Sequence, residues 1–240
     1  MSGPLNVVIM GETGVGKSSV VNLIAGKAFA RVSPDSDPCT ENTTEYSTST
    51  GLNPVHIWEI AGFNQPENVI TKDDLPDADL GPVLADTTAV VDLVLFCMRG
   101  KKLTKTTKRI FEFVKNMFGN QVPIILVITH LEMEGDGMES WWVRNEAYLA
   151  REGVVGTGHV CVTGLREEKW KAKRDESRDV LLRVLNNHYS ARRSRPLETC
   201  FLGYLRHMGK FNQKGRKLEK VLIKRYKLDA RTARRLASSA

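Results

Sequence analysis

The segment Gly11-Glu12-Thr13-Gly14-Val15-Gly16-Lys17-Ser18 fits the pattern G-x-x-x-x-G-K-[S/T] of a phosphate-binding loop. A short apolar run at residues 5–10 precedes it and predicts a buried strand, and residues 17–27 predict a helix. The order strand, glycine-rich loop, helix suits this chemistry, because glycines let backbone N–H groups surround phosphate oxygens and the helix N-terminus adds partial positive charge. A glycine turn without a ligand is the alternative interpretation.

We expect this loop and the residue after it to contact a nucleotide. Lys17 can reach the β and γ phosphates and is a candidate catalytic residue, and Ser18 is a candidate ligand of Mg²⁺. The full set of candidate phosphate contacts is Gly11, Glu12, Thr13, Gly14, Val15, Gly16, Lys17, Ser18 and Ser19.

Apolar runs and helix-like segments alternate along the rest of the chain. Apolar runs lie at residues 55–58, 91–97, 124–128 and 159–162, and the β-rich stretch 46–50 predicts a hairpin with the first of them. Helices are predicted at residues 79–90, 104–118, 138–152 and 167–188. This alternation predicts a three-layer α/β fold with a mainly parallel central sheet and helices on both faces.

Charge is distributed unevenly over the 240 residues. The segment 191–240 holds 15 of the 35 Lys and Arg residues but only three of the 28 Asp and Glu residues. We therefore predict a nucleotide-binding domain at residues 1–190 and a basic C-terminal extension at 191–240, with helices at 214–226 and 229–237. The extension either contacts an acidic partner (RNA, anionic lipid or an acidic protein) or docks on the first domain. An apolar stripe favours docking: Leu218, Val221, Leu222, Tyr226 and Leu228.

Composition excludes several classes of protein. With 41% hydrophobic and 26% charged residues, the chain has the balance of an ordinary soluble domain. No apolar run approaches the length of a membrane span, and the N-terminus lacks the pattern of a signal peptide. The four cysteines lack metal-ligand spacing. We expect a cytoplasmic, reduced protein.

Four later segments accompany the phosphate-binding loop: a polar loop at residues 31–46, Glu59-Ile60-Ala61-Gly62, Thr129-His130-Leu131-Glu132, and Thr163-Gly164. Together the five segments, over about residues 5–188, resemble the motifs of translation-factor-related P-loop GTPases. Within that class the chain is most similar to small fungal G domain-containing proteins, in residues 11–26, the Ser-Pro-Asp loop and the Trp-Trp-x-Arg-Asn-Glu segment. Septin-like and immunity-associated GTPases are more distant relatives.

The resemblance implies a magnesium site. Glu59 stands where these GTPases have the Asp that holds Mg²⁺ through water, and the N–H of Gly62 would contact the γ phosphate. A threonine of the polar loop would close on the metal and the γ phosphate. Thr40 is the first choice, on the pattern Pro-x-Thr, and Thr43 and Thr44 are alternatives.

The resemblance also implies guanine as the base. GTPases have [N/T]-Lys-x-Asp at this place, and here Thr129 matches, His130 replaces Lys and Glu132 replaces Asp. The carboxylate of Glu132 would accept hydrogen bonds from guanine, and His130 either stacks on the base or packs. The backbone of Thr163 and Gly164 would contact the base oxygen.

The residues expected to act in catalysis depart most from the family pattern. Phe63 stands where many GTPases carry the Gln that orients the attacking water, and Gln65 is the candidate substitute. Arg31 and Arg99 are the nearest candidates for an arginine finger. We therefore expect a GTP-binding switch with weak Mg²⁺-dependent hydrolysis, raised by a partner or by homodimerisation. The alternatives are a pseudo-GTPase that binds without hydrolysis, and a P-loop ATPase or kinase.

Overall fold

The computed structural model describes residues 3–30, 42–61, 63, 77–119, 121–207 and 216–239. Within these ranges the strands of the central sheet are β1 (Leu5–Met10), β2 (Thr44–Ser49), β3 (Pro54–Glu59), β5 (Leu93–Arg99), β6 (Ile124–Thr129) and β7 (Gly158–Cys161). These six strands lie in the order β2-β3-β1-β5-β6-β7, and among them only the β2–β3 pair is antiparallel. A second, two-stranded sheet pairs β4 (Val90–Val91) with β8 (Arg195–Pro196).

Helices cover both faces of the central sheet. They are α1 (Lys17–Ala25), α2 (Gly81–Ala85), α3 (Lys105–Phe118), α4 (Glu139–Arg151), α5 (Lys171–Ala191), α6 (Leu197–His207), α7 (Arg216–Tyr226) and α8 (Ala230–Ser239). One apolar cluster joins α1 and α5 to one face of the sheet, and a larger cluster joins α2, α3, α4 and α6–α8 to the other. The predicted three-layer α/β fold and mainly parallel sheet are confirmed.

Strand register places the predicted motifs at one edge of the sheet. β1 pairs in parallel with β3, with Ile9 beside Glu59, and β5 pairs in parallel with β6, with Arg99 beside Thr129. Because the carboxyl ends of parallel strands meet at the same edge, the loops after β1, β3, β5, β6 and β7 all converge there.

The predicted helix at residues 79–90 is wrong in its extent. The helix α2 ends at Ala85, and Asp86, in an extended conformation, starts a tight turn. The carboxylate of Asp86 accepts hydrogen bonds from the N–H and hydroxyl of Thr88, at 2.8 and 2.7 Å. Such Asx turns compete with helix formation, so Val90 is able to join a strand.

Residues 191–207 and 216–239, the described part of the C-terminal extension, contain three helices, one more than the sequence predicted. The missed helix, α6, packs against α3, and its buried Leu197, Phe201 and Tyr204 belong to the larger apolar cluster. Leu218, Leu222 and Tyr226 of α7 are buried in the same cluster, so the apolar stripe faces the rest of the protein. The boundary at residue 191 stays a prediction.

Within the described ranges, no helix combines the length and the apolar character needed to cross a membrane.

Candidate nucleotide-binding site

The loop between β1 and α1 has the backbone of a phosphate cradle. Gly11, Gly14 and Gly16 have positive φ angles of 150°, 74° and 91°. At Gly11 a Cβ atom would lie 2.3 Å from the carbonyl oxygen of Cys97, so only glycine fits where the loop leaves β1. The close packing of the loop against β5 therefore fixes its curvature.

Lys17 lies inside this loop. Its Nζ donates hydrogen bonds to the carbonyl oxygens of Gly11, at 3.3 Å, and Glu12, at 3.0 Å. Burial lowers the pKa of Lys17, and the nearby carboxylate of Glu59 opposes that shift. A buried ammonium group next to backbone donors is a strong site for phosphate oxygens.

Two further features of the loop fit a bound phosphate. The hydroxyl of Thr13 is buried and has no hydrogen-bond partner among the described residues. Helix α1 begins after Gly16, and this N-cap residue has no side chain to bond the N-terminal N–H groups of the helix. An orphaned hydroxyl and uncapped helix N–H groups are donors that phosphate oxygens would satisfy.

Ser18 and Glu59 adjoin each other on α1 and at the end of β3. The Ser18 hydroxyl donates to Oε1 of Glu59 at 2.6 Å, and the Tyr46 hydroxyl lies 3.3 Å from Oε2. Burial and the Glu59 charge raise the pKa of Tyr46 to about 12, so its phenol stays protonated and donates. Glu59 is fully buried, and it and Ser18 are hard oxygen donors of the kind that Mg²⁺ prefers.

The described residues contain no cluster of three His, Cys, Asp or Glu side chains able to hold a metal by themselves. A magnesium ion at Ser18 and Glu59 would therefore share its remaining positions with phosphate oxygens and water, as Mg²⁺ does in nucleotide sites. The donor set fits the predicted metal under that condition.

Contacts that the sequence did not predict hold the loop from outside. The guanidinium of Arg99 donates to the carbonyl oxygen of Gly14 at 2.8 Å from Nη2. The Thr129 hydroxyl donates to the carbonyl oxygen of Val15 at 2.7 Å. The carboxylate of Glu12 accepts from Thr104, at 2.9 Å, and Thr107, at 2.6 Å, so it points to α3. No sequence signal marks these pairs, since each joins segments more than 80 residues apart.

The predicted base-recognition residues line one small cavity next to the loop. It is bounded by Gly16, Ser19, Val20, Leu23, Thr129, His130, Glu132, Val162, Thr163, Gly164 and Leu165. The Thr163 hydroxyl donates to Oε2 of Glu132 at 3.0 Å. Lys173 donates to the main-chain oxygen of Glu132 at 2.7 Å and so fixes the turn that carries the carboxylate. The structure therefore brings Glu132, Thr163 and Gly164 together beside the start of α1.

His130 occupies a strained position at this cavity. Its φ angle is 61°, and its Nδ1 lies 3.0 Å from the Thr129 hydroxyl. Burial lowers the pKa of His130, and the charge of Arg99 lowers it further. The ring is therefore neutral near pH 7, and the site lacks the cation that Lys would supply.

The remaining predicted residues divide into two groups. Thr40, Gly62 and Gln65 lie outside the described residues. Thr43 lies near Glu59, since its hydroxyl accepts from the N–H of Ala61 at 3.2 Å, whereas Thr44 begins β2 and its hydroxyl donates to the main-chain oxygen of Asn42 at 3.2 Å. Phe63 is 2% exposed, and its ring packs edge-on against Phe113, 5.7 Å between centroids. Phe63 is therefore a core residue.

Comparison with protein families decides the class. The family described as 50S ribosome-binding GTPase matches residues 6–130, which include the phosphate loop, Glu59 and Thr129. The chain belongs to this family of P-loop GTPases. The expected class of GTPase is thereby supported, at the level of its G domain.

Curated relatives agree over part of the chain. The tRNA modification GTPase MnmE of Coxiella burnetii is 28% identical over 132 residues, which are 55% of this chain and 28% of that protein. MnmE of Bordetella avium is 32% identical over 97 residues, 38% of this chain and 21% of that protein. The match thus spans less than a third of the length of either relative.

Solved structures show the same fold. Toc33 of Arabidopsis thaliana in complex with GDP and Mg²⁺ is 17% identical, with a TM-score of 0.59 over 80% of this chain and 87% of that one. Era of Aquifex aeolicus bound to GDP and AlF4⁻ is 18% identical, with a TM-score of 0.53 over 76% and 57%. Toc33 has also been crystallised with Mg²⁺ and GMPPNP.

Proposed function

We propose that this protein is a GTP-binding switch with slow, Mg²⁺-dependent GTP hydrolysis. The observation that carries the proposal is the Glu132 carboxylate, held by Thr163 at a cavity that reaches Gly16 and the start of α1. Guanine presents two adjacent N–H donors to such a carboxylate, and adenine has no matching pair. One edge of the sheet thus combines a phosphate cradle with an acceptor suited to guanine.

Phosphate binding depends on Lys17, the loop N–H groups and the Thr13 hydroxyl. Ser18 and Glu59 would hold Mg²⁺, which neutralises charge on the β and γ phosphates. A switch threonine (Thr40, Thr43 or Thr44) would join them, and the Gly62 N–H would contact the γ phosphate.

Slow hydrolysis follows from what surrounds the γ phosphate position. The ring of Phe63 packs in the core, and the Arg99 guanidinium is bonded to the Gly14 carbonyl oxygen. A buried phenyl ring cannot orient water, and Nε and Nη2 of Arg99 are already bonded to a main-chain oxygen. Gln65, a partner protein or a second copy of the chain would supply the group that orients water or stabilises the charge that develops on GDP. In Toc33 and Toc159, dimerisation is important for the GTPase activity.

Two further proposals concern the binding partner of this protein and the group of organisms it comes from. The docked α7 and α8 leave a basic outer face, which suits an acidic macromolecule: Arg216, Lys217, Lys220, Lys224, Arg231 and Arg234 are exposed. Most of their apolar side chains are already buried, which disfavours insertion into lipid. A cytoplasmic location and membership of the fungal group rest on the sequence alone.

The test is GTP turnover per molecule, measured over a wide range of protein concentration with Mg²⁺ present. We expect slow turnover that rises with concentration, and loss of that turnover in Lys17→Ala. Fast turnover that does not depend on concentration would contradict the proposal. Tight GTP binding with no turnover at any concentration would instead establish the pseudo-GTPase, the alternative that the core position of Phe63 favours.

A further inference from the structure

The segment before α2 is hydrogen-bonded to the end of α7. The N–H of Ala78 donates to the carbonyl oxygen of Arg225 at 2.9 Å, and the N–H of Leu80 donates to that of Tyr226 at 3.1 Å. Arg225 and Tyr226 are the last residues of α7, where carbonyl groups lack partners inside the helix. The segment at residues 77–80 therefore completes the C-terminal end of α7, and its displacement would remove these donors.

The same short segment holds the start of β2. Asp79, between the two donors, accepts the N–H of Thr43 at 2.8 Å through Oδ2, and its main-chain oxygen accepts the Thr43 hydroxyl. That hydroxyl also accepts from the N–H of Ala61, two residues after Glu59. One continuous hydrogen-bonded path thus runs from the metal-binding end of β3 to α7.

A second path runs through aromatic side chains. Phe63 packs on Phe113 of α3, and Phe113 packs edge-on against Tyr204 of α6 with ring centroids 4.9 Å apart. Tyr226, the last residue of α7, lies 6.4 Å from Phe113 and 5.0 Å from Phe201. The residue that follows the Gly62 position is therefore packed into a cluster built largely by the C-terminal helices.

Helix α2 packs tightly against the C-terminal helices. A Cβ atom at Gly81 would lie 2.4 Å from the carbonyl oxygen of Lys227, whose own φ angle is 51°. Further along, Arg235 of α8 donates to the carbonyl oxygen of Leu84 in α2 at 2.9 Å and pairs with Glu198 of α6. Closely packed interfaces of this kind shift between discrete arrangements more readily than they deform.

We propose that helices α6–α8 and the segments around Thr43 and Asp79 form one two-state element. Docking of the helices opposes the arrangement in which the switch closes on the metal and the γ phosphate. Among the candidate switch threonines, Thr43 itself makes the bonds to Asp79. Movement of Thr43 to the metal would break these bonds to the segment that completes α7.

Linkage makes this coupling reciprocal. If closing on the γ phosphate weakens docking, weaker docking raises the affinity for the triphosphate by the same factor. Coupling between such sites is typically about 5–150-fold. The inference rests on the proposed GTP switch and adds that the chain carries its own regulator.

Hydrogen exchange of the full chain tests whether the bound nucleotide changes the docking of the C-terminal helices. With Mg²⁺ and either GDP or GMPPNP bound, amides 77–85 and those of α7 are compared, with β6 as the internal reference. We expect about tenfold faster exchange in both segments with GMPPNP and no change in β6. Equal exchange with both nucleotides bound would overturn the coupling alone, whereas failure to bind either nucleotide would overturn the proposed function as well.

A pair of variants tests whether weaker docking of these helices changes the affinity for nucleotides. Arg235→Gln removes the contacts of α8 with Leu84 and Glu198, remote from the nucleotide site. We expect it to raise the ratio of GMPPNP to GDP affinity at least fivefold. The control, Arg231→Gln, changes an exposed arginine of the same helix and leaves the ratio unchanged. The same ratio in both variants and the unaltered protein would contradict the inference.

Discussion

The hydroxyl of Ser18 donates a 2.6 Å hydrogen bond to Oε1 of Glu59, across the gap between α1 and the end of β3. Parallel pairing of Ile9 with Glu59 sets this distance, because it aligns the end of β3 with the end of β1. The longer Glu side chain thus reaches the serine directly at a position where related GTPases have Asp. The contact places the Glu59 carboxylate beside the Ser18 hydroxyl, and these are the two oxygen donors of the proposed metal site.

Replacement of Glu59 by Gln tests its role with the metal. Gln keeps the size of the side chain but lacks the anionic oxygen that Mg²⁺ prefers. In the unaltered protein we expect Mg²⁺ to raise the affinity for GTP. We expect this increase to be at least about tenfold smaller in the variant, while the affinity without Mg²⁺ is unchanged. Titration with a fluorescent nucleotide with and without Mg²⁺ measures this. Tyr46→Phe, which removes only the 3.3 Å contact with Glu59, is the matched control. An undiminished Mg²⁺ effect in Glu59→Gln would refute the assignment.

Replacement of Glu132 by Gln tests the choice of base. The variant replaces one carboxylate oxygen by an N–H₂ donor, which opposes the N–H donors of guanine. Loss of two charge-assisted hydrogen bonds is expected to weaken GDP binding about a hundredfold or more. Competition titration with GDP measures the loss. Thr163→Val, which removes only the 3.0 Å bond to Glu132, should cost far less. Equal losses in the two variants would show that Glu132 does not contact the base.

Replacement of Phe63 by Gln tests the core assignment. A family comparison alone suggests that Gln at this position would restore fast hydrolysis. The structure predicts instead a loss of about 2–4 kcal/mol in the free energy of unfolding, because Gln would be buried against Phe113. Phe63→Leu, which stays apolar, is expected to cost about 1 kcal/mol. Chemical denaturation measures both. Higher turnover in Phe63→Gln without loss of stability would contradict this assignment.

The histidine at the base cavity makes stability depend on pH. Burial and Arg99 lower the pKa of His130 below its ordinary value of 6.5, so the folded state binds this proton less readily than the unfolded state. The stabilising contribution is complete above pH 6.5 and is lost as pH falls below that value. We expect His130→Asn, which tolerates the positive φ, to lose less stability between pH 7.5 and 5.5 than the unaltered protein. An equal loss of stability in His130→Asn and in the unaltered protein would show that His130 does not titrate as described.

Local patterns were sufficient to predict the sheet and the phosphate loop. The strands β1, β5 and β6 are largely apolar runs, and the glycines at 11, 14 and 16 each take the positive φ that the loop needs. Both signals depend on neighbouring residues alone, which is why the sequence carries them.

Tertiary contacts explain what the sequence did not predict. α2 ends early because Asp86 turns onto Thr88, and Val90 and Val91 pair with a strand more than 100 residues away. Helix α6 buries its apolar residues against α3 and α7, which are distant in sequence or follow it. The Arg99 and Thr129 contacts with the loop, and the Thr43–Asp79 bonds, join residues that no spacing rule connects.

Competition between GTP and ATP for the same protein, with Mg²⁺ present, tests directly whether this site selects guanine. We expect GTP to bind at least about a hundredfold more tightly than ATP, because only guanine satisfies the Glu132 carboxylate. We also expect GDP to compete with GTP and ADP not to compete. Equal affinity for GTP and ATP would contradict the assignment of this site to guanine nucleotides.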